Sequence, residues 1–130
     1  MILDTDFVID LMKKEENAVA KQQKLDEDHE VLMVTAPTIF ELWTGVALLE
    51  KQDSEKSKLL STIGNLDTLP FNQKTAEKAG EIHGSLIKAG QEIDAVDCMI
   101  ASISLLENEP LLTRNAKHFT RIRGLKVEVY

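Results

Sequence analysis

The residues able to do chemistry in this chain are acids and oxygen donors placed beside short apolar runs. Asp4 and Asp6 follow "MIL", Glu41 sits inside "PTIFELWTGVALL", Asp94 and Asp97 stand three apart in "EIDAVDCMIAS", and Thr113 and Asn115 close "PLLTRN". Two readings fit the pair at 94 and 97. As an N-cap and a third helical residue, both carboxylates meet unpaired N–H groups and the positive end of a helix dipole. As half of a site, they join Asp4 and Glu41. Glu41 is flanked by Ile39, Phe40, Leu42 and Trp43, and a half-buried carboxylate needs a donor, a cation or a proton. Asp10, more than a turn beyond Asp6, is expected at the surface. If Asp4, Glu41 and Asp97 converge, charges about 5 Å apart at an effective dielectric of about 20 repel by roughly 3 kcal/mol per pair, on the order of 10 kcal/mol for three. Such a site must take up protons or a divalent metal. All-oxygen ligands suit Mg²⁺ or Mn²⁺. The three histidines, His29, His83 and His118, lack the paired spacing of a zinc site.

These residues have to be carried by a scaffold, and the hydrophobic pattern indicates which. Strand-like runs ("MIL", 31–35, 66–71, 110–113 and 125–130) alternate with helical stretches at 5–26, 38–51, 54–64, 73–89 and 95–107. Pro37 fits a first helical turn with Thr35 or Ala36 as its cap, and Gly90 fits a helix stop. Alternation of this kind points to an α/β domain whose mainly parallel sheet is covered on both faces. Ligands of such sheets lie outside the carboxyl ends of the strands, where the strand order reverses. The acids above all follow strands or open helices, so they are candidates to meet there.

Composition narrows the rest. A chain of 130 residues with 43% hydrophobic and 28% charged residues suits one soluble globular domain spanning 1–130. No membrane span and no signal peptide is evident, so a cytoplasmic location is expected. The one cysteine, Cys98, lies in an apolar run and is expected to be a small buried hydrophobe. The net charge of −7 argues against a polyanion partner, yet residues 114–126 hold Arg114, Lys117, Arg121, Arg123 and Lys126 without an acid. A phosphate backbone can dock on such a segment. A carboxylate-held Mg²⁺ beside it suggests phosphoryl chemistry with a metal-activated water.

Three quoted stretches carry a family resemblance: "MILDTDFVID", "APTIFELWTGV" and "IDAVDCMIASISLLENEPLLTRNAKHFTRIRGLKV". Together they resemble the PIN-domain ribonucleases of the VapC toxin type. The resemblance implies a three-layer α/β/α sandwich with a mainly parallel sheet of about five strands. It also implies a Mg²⁺-dependent endoribonuclease (Mn²⁺ substituting), an RNA substrate, a small antitoxin partner and a homodimer. Carried over by position, Asp4, Glu41 and Asp97 match the metal carboxylates, with Asp94 as a nearby acid or base and Asp6 as a supporting acid or helix cap. Asn115 falls where many PIN domains have a fourth aspartate, which favours a single tightly held ion. Thr113, Arg114, Lys117 and Arg121 are the expected substrate contacts. Two other readings remain open at this point. "LDTD" also looks like the opening of a haloacid-dehalogenase-like phosphatase, and a PIN scaffold without catalysis could serve as a binding module. A phosphoaspartate receiver domain would need an acid after the third strand, where "LPFNQK" stands.

Overall fold

A computed structural model describes all 130 residues, Met1–Tyr130. Five short strands, β1 (Ile2–Leu3), β2 (Met33–Thr35), β3 (Asp67–Leu69), β4 (Leu111–Leu112) and β5 (Val127–Glu128), form one sheet in the order β3-β2-β1-β4-β5. Every pairing is parallel, and Ile2 and Leu3 lie in register with Leu111 and Leu112. The expected parallel α/β/α sandwich is therefore present. The strands are shorter than the runs in the sequence suggest, because the chain turns into a helix as soon as a capping side chain is available. Asp4 caps α1 (Thr5–Met12) directly after β1, and Thr35 caps α3 (Ala36–Ala47) directly after β2, with Pro37 in its first turn.

Side-chain alternation on the central strands divides the core. Leu3, Val34 and Leu112 point to one face, where they meet Phe7 and Val8 of α1, Leu42 and Val46 of α3, and Leu59 of α4 (Asp53–Ile63). Ile2 and Leu111 point to the other face, against Ile82 and Leu86 of α5 (Gln73–Lys88) and Ile100 and Ile103 of α6 (Ala95–Glu107). A period of two in a strand buried on both faces produces this division. The helical stretch 5–26, readable as one helix or two, is two: Lys14 at φ +59 separates α1 from α2 (Glu16–Glu27). Gly90 at φ +67 ends α5, where a side chain would be strained. A short α7 (Ala116–Phe119), not foreseen, follows β4.

One further expectation needs correction. Asp10 is buried rather than at the surface, for reasons given with the site below. In the apolar stretch 38–64, Leu59 is core and Trp43 half-buried, but Phe40, Leu48, Leu49 and Leu60 are exposed. Helical spacing turns Phe40 and Leu60 away from the sheet, and Leu48 and Leu49 lie just past the end of α3. No helix is long and apolar enough to cross a membrane.

Leu59 and Leu60 make a controlled pair, being 0% and 55% exposed. Leu59→Ala is expected to lower unfolding free energy by about 2–5 kcal/mol through lost contacts and a cavity, whereas Leu60→Ala should change it by less than about 0.5 kcal/mol. Urea midpoints of the two variants check this, and equal losses would mean that α4 is docked differently.

Candidate active site

Asp4 is the point from which the site is built. It stands at the carboxyl end of β1, beside Thr113 at the end of β4, where strand order reverses across the β1–β4 pair. Its Oδ1 accepts the backbone N–H of Thr5 at 2.8 Å, and its Oδ2 accepts the Thr113 hydroxyl at 2.6 Å. Only 4% of Asp4 is exposed. Burial pushes its pKa up to about 7, and the charges of Asp6 and Asp97 add to the rise, while the Thr113 and Thr5 hydrogen bonds oppose it. Thr113 itself is fully buried. Its hydroxyl is engaged by the protein itself, donating to Asp4 and accepting the Asn115 N–H at 2.9 Å.

Thr5 links the second carboxylate to the first. Its hydroxyl donates to Glu41 Oε1 at 2.6 Å, while its N–H binds Asp4. The capping that starts α1 thus also ties β1 to α3. Glu41 is half-buried, and its pKa is raised first by that burial and then by Asp97, Asp94 and Asp6, against the Thr5 bond. Asp97 enters from α6. Asp94 is the N-cap there, accepting the Val96 N–H at 2.8 Å, and Asp97 is the third helical residue. Burial raises the Asp97 pKa, as do Asp94 and Asp6, while His118 lowers it. His118 Nδ1 lies 3.4 Å from Asp97 Oδ2 and 2.8 Å from Asn115 Nδ2. With Nδ1 bare, His118 accepts from the Asn115 amide; with Nδ1 protonated, it donates to Asp97.

Arg114 and Asp10 form a brace below this cluster. Arg114 Nη1 donates to both Asp10 oxygens at 3.0 and 2.9 Å, and its Nε lies 3.6 Å from Asp6. Asp10 also accepts the Tyr130 hydroxyl at 2.7 Å, and the Tyr130 ring packs edge-on against Phe7 at 4.7 Å. Asp10 is buried because two partners more than 100 positions away satisfy it. Thr5, His118 and Tyr130 were not singled out by sequence as site residues. Adjacency to Asp4 for Thr5, and the i,i+3 spacing from Asn115 for His118, were the available signals. Lys117 is exposed, and Arg121 donates to the carbonyls of Gln91 and Glu92 at 3.3 and 3.4 Å, so neither touches the carboxylates. Cys98 is buried as expected, and its thiol is pushed up to about 11 by that burial.

The donor set is all oxygen and anionic, as a hard cation requires. No three acidic, histidine or cysteine side chains stand close enough to enclose an ion by themselves. Mg²⁺ keeps several waters and takes one or two carboxylates directly, so the donor chemistry fits a hydrated ion that one or two of Asp4, Glu41 and Asp97 would bind directly.

The profile of the family described as "PIN domain" matches residues 1–125. The chain belongs to the PIN domain family. That membership sets aside the phosphatase and receiver readings. The PIN domain is similar to "Ribonuclease VapC2" of Rickettsia felis, 28% identical over 127 residues, covering 98% of this chain and 95% of that protein. It is similar over the same shares to the "tRNA(fMet)-specific endonuclease VapC" of Shigella flexneri, at 23% identity. Among solved structures, VapBC2 from Rickettsia felis, bound to a DNA fragment from its promoter, superposes with a TM-score of 0.89 at 27% identity. The match covers 99% of this PIN domain and 97% of that chain.

The raised pKa of Asp4 makes a stability prediction for the metal-free protein. An acid whose folded pKa is about 7 against 3.8 imposes no penalty below pH ~4. The penalty grows as pH rises between the two values, and reaches on the order of 4 kcal/mol above pH ~7. In excess chelator, Asp4→Asn should therefore match wild type near pH 4 and melt several degrees higher near pH 8. Thermal melts across that range check it, and an Asn variant less stable at pH 8 would contradict the assignment.

Proposed function

We propose that this PIN domain is a Mg²⁺-dependent endoribonuclease, the toxin of a toxin–antitoxin pair, acting in the cytoplasm. The observation that carries the reading is the meeting of Asp4, Glu41 and Asp97 at one sheet edge, with their pKa values raised by shared burial and repulsion. A bound Mg²⁺ supplies neutralisation of this charge and of the phosphate oxygens, and an acidified water. Asp4 and Asp97 hold the ion, Asp4 from a carboxylate already aimed by Thr5 and Thr113. Glu41 has Oε1 engaged by Thr5, which leaves Oε2 to orient the attacking water. Asp94 caps α6 and thereby fixes Asp97. Asn115 reaches the site through His118, bringing no charge of its own, which favours one tightly held ion. Arg114, braced by Asp10 and Asp6, offers its remaining N–H groups to substrate phosphate.

The relatives named as VapC ribonucleases, and the VapBC complex, support this reading and the antitoxin partner. A groove between α1, α3 and α4, lined by Ile9, Met12, Val46 and Leu49 with Glu41 at its margin, suits an apolar segment of that partner. The exposed Phe40 and Leu48 of the α3 region suit the homodimer contact.

Purified protein should cleave RNA with Mg²⁺ or Mn²⁺ and stop in excess chelator. Asp97→Asn should lower the rate by on the order of 100-fold or more while the fold persists by circular dichroism. Undiminished cleavage in chelator or in Asp97→Asn would rule out this mechanism, and no cleavage by wild type under any metal would favour the inactive binding scaffold.

A further inference from the structure

The basic segment 114–126 serves two different places. Arg114 is engaged by Asp6 and Asp10, whereas Arg121 and Arg123 border a groove of about 500 Å³ between α5, the end of α6 and the chain entering β5. Its floor is aliphatic, with Ile82 and Ile122, and Lys78 stands on the opposite rim. None of Lys78, Arg121 and Arg123 forms an ion pair. Glu81 is the one acid of the lining. In a chain of net charge −7, three unpaired cations around one apolar concavity make a local positive field that attracts anions.

One end of the groove, at Arg121, lies against the segment that leads into the Asp94 cap. Arg121 binds the carbonyls of Gln91 and Glu92, just before the Asp94 cap, and lies three residues beyond His118, whose Nδ1 is 3.4 Å from Asp97. A nucleic-acid strand has the alternation this surface would recognise: flat, weakly polar base faces spaced by phosphates. In a duplex those faces are stacked away, whereas in single-stranded RNA they are free to lie on an apolar floor or against a guanidinium plane.

We propose that this groove binds single-stranded RNA flanking the scissile phosphate, with a base over Ile82 and Ile122 and neighbouring phosphates against Lys78 and Arg123. This rests on the ribonuclease reading, and the test separates the two. Binding of a labelled unstructured RNA is measured in chelator, where no cleavage occurs, at several salt concentrations, for wild type and Lys78→Gln/Arg123→Gln. Cleavage of a minimal oligonucleotide spanning only the cut bond is measured with Mg²⁺. The double variant is expected to bind the long RNA about tenfold more weakly, with a log–log salt slope shallower by about 1.4 for two lost phosphate contacts. Its rate on the minimal oligonucleotide should be unchanged. Unaltered affinity and salt slope in the double variant overturn the proposal, as does polyglutamate competing as well as RNA. Groove-dependent RNA binding by a wild type that cleaves nothing would uphold the groove and remove the ribonuclease reading.

Discussion

Like charges confined at one buried sheet edge are the constraint on which the structure turns. Asp4, Glu41 and Asp97 come from β1, α3 and α6, and each is pushed toward its protonated form by burial and by acids nearby. Left alone such an arrangement would splay apart. Directed hydrogen bonds keep it together: Thr5 binds both Asp4 and Glu41, Thr113 binds Asp4, and His118 approaches Asp97. Two of the acids also sit at helix starts, where the dipole and free N–H groups favour negative charge. The brace of Arg114, Asp10 and Tyr130 adds fixed positive charge beside Asp6 without reaching the three carboxylates.

The scaffold follows from how short the strands are. Two or three buried residues suffice to set the register of a parallel sheet whose faces are both covered, and the next residue is free to cap a helix. A strand that hands directly to a helix places the cap at the sheet edge. Helix starts therefore bring both capping side chains and the clustered carboxylates to this edge. At the start of α6 the two acids divide the work: Asp94 satisfies the helix backbone, and the charge of Asp97, the third helical residue, reaches Asp4 and Glu41.

Local signals in the sequence were legible where local physics decides. The Thr35–Pro37 start, the Asp94 cap and the Gly90 stop needed no tertiary information. The convergence of Asp4, Glu41 and Asp97 was anticipated from acids that follow a strand or lie near helix starts. What escaped notice depends on distant partners. Asp10 reads as a surface acid from helical spacing, and only Arg114 and Tyr130, 104 and 120 positions away, make its burial tolerable. The register of β4 on β1 turns the Thr113 hydroxyl onto Asp4. His118 is set aside as a zinc ligand by spacing alone, and its approach to Asp97 depends on α7, a four-residue helix that the hydrophobic pattern does not mark. The exposed Leu60 beside buried Leu59 shows the same limit in the apolar pattern, which marks hydrophobic residues but not which face meets the sheet.

With the proposed cation, protons and the metal would compete for one buried carboxylate cluster. Calorimetric titration of Mg²⁺ in buffers of different ionisation enthalpy counts the protons released per ion. With Asp4 titrating near pH 7, binding at that pH should release a substantial fraction of a proton. The release should fall toward zero by about pH 9 and be lost in Asp4→Asn. Mg²⁺ binding that releases no proton at any pH across this range would contradict the account.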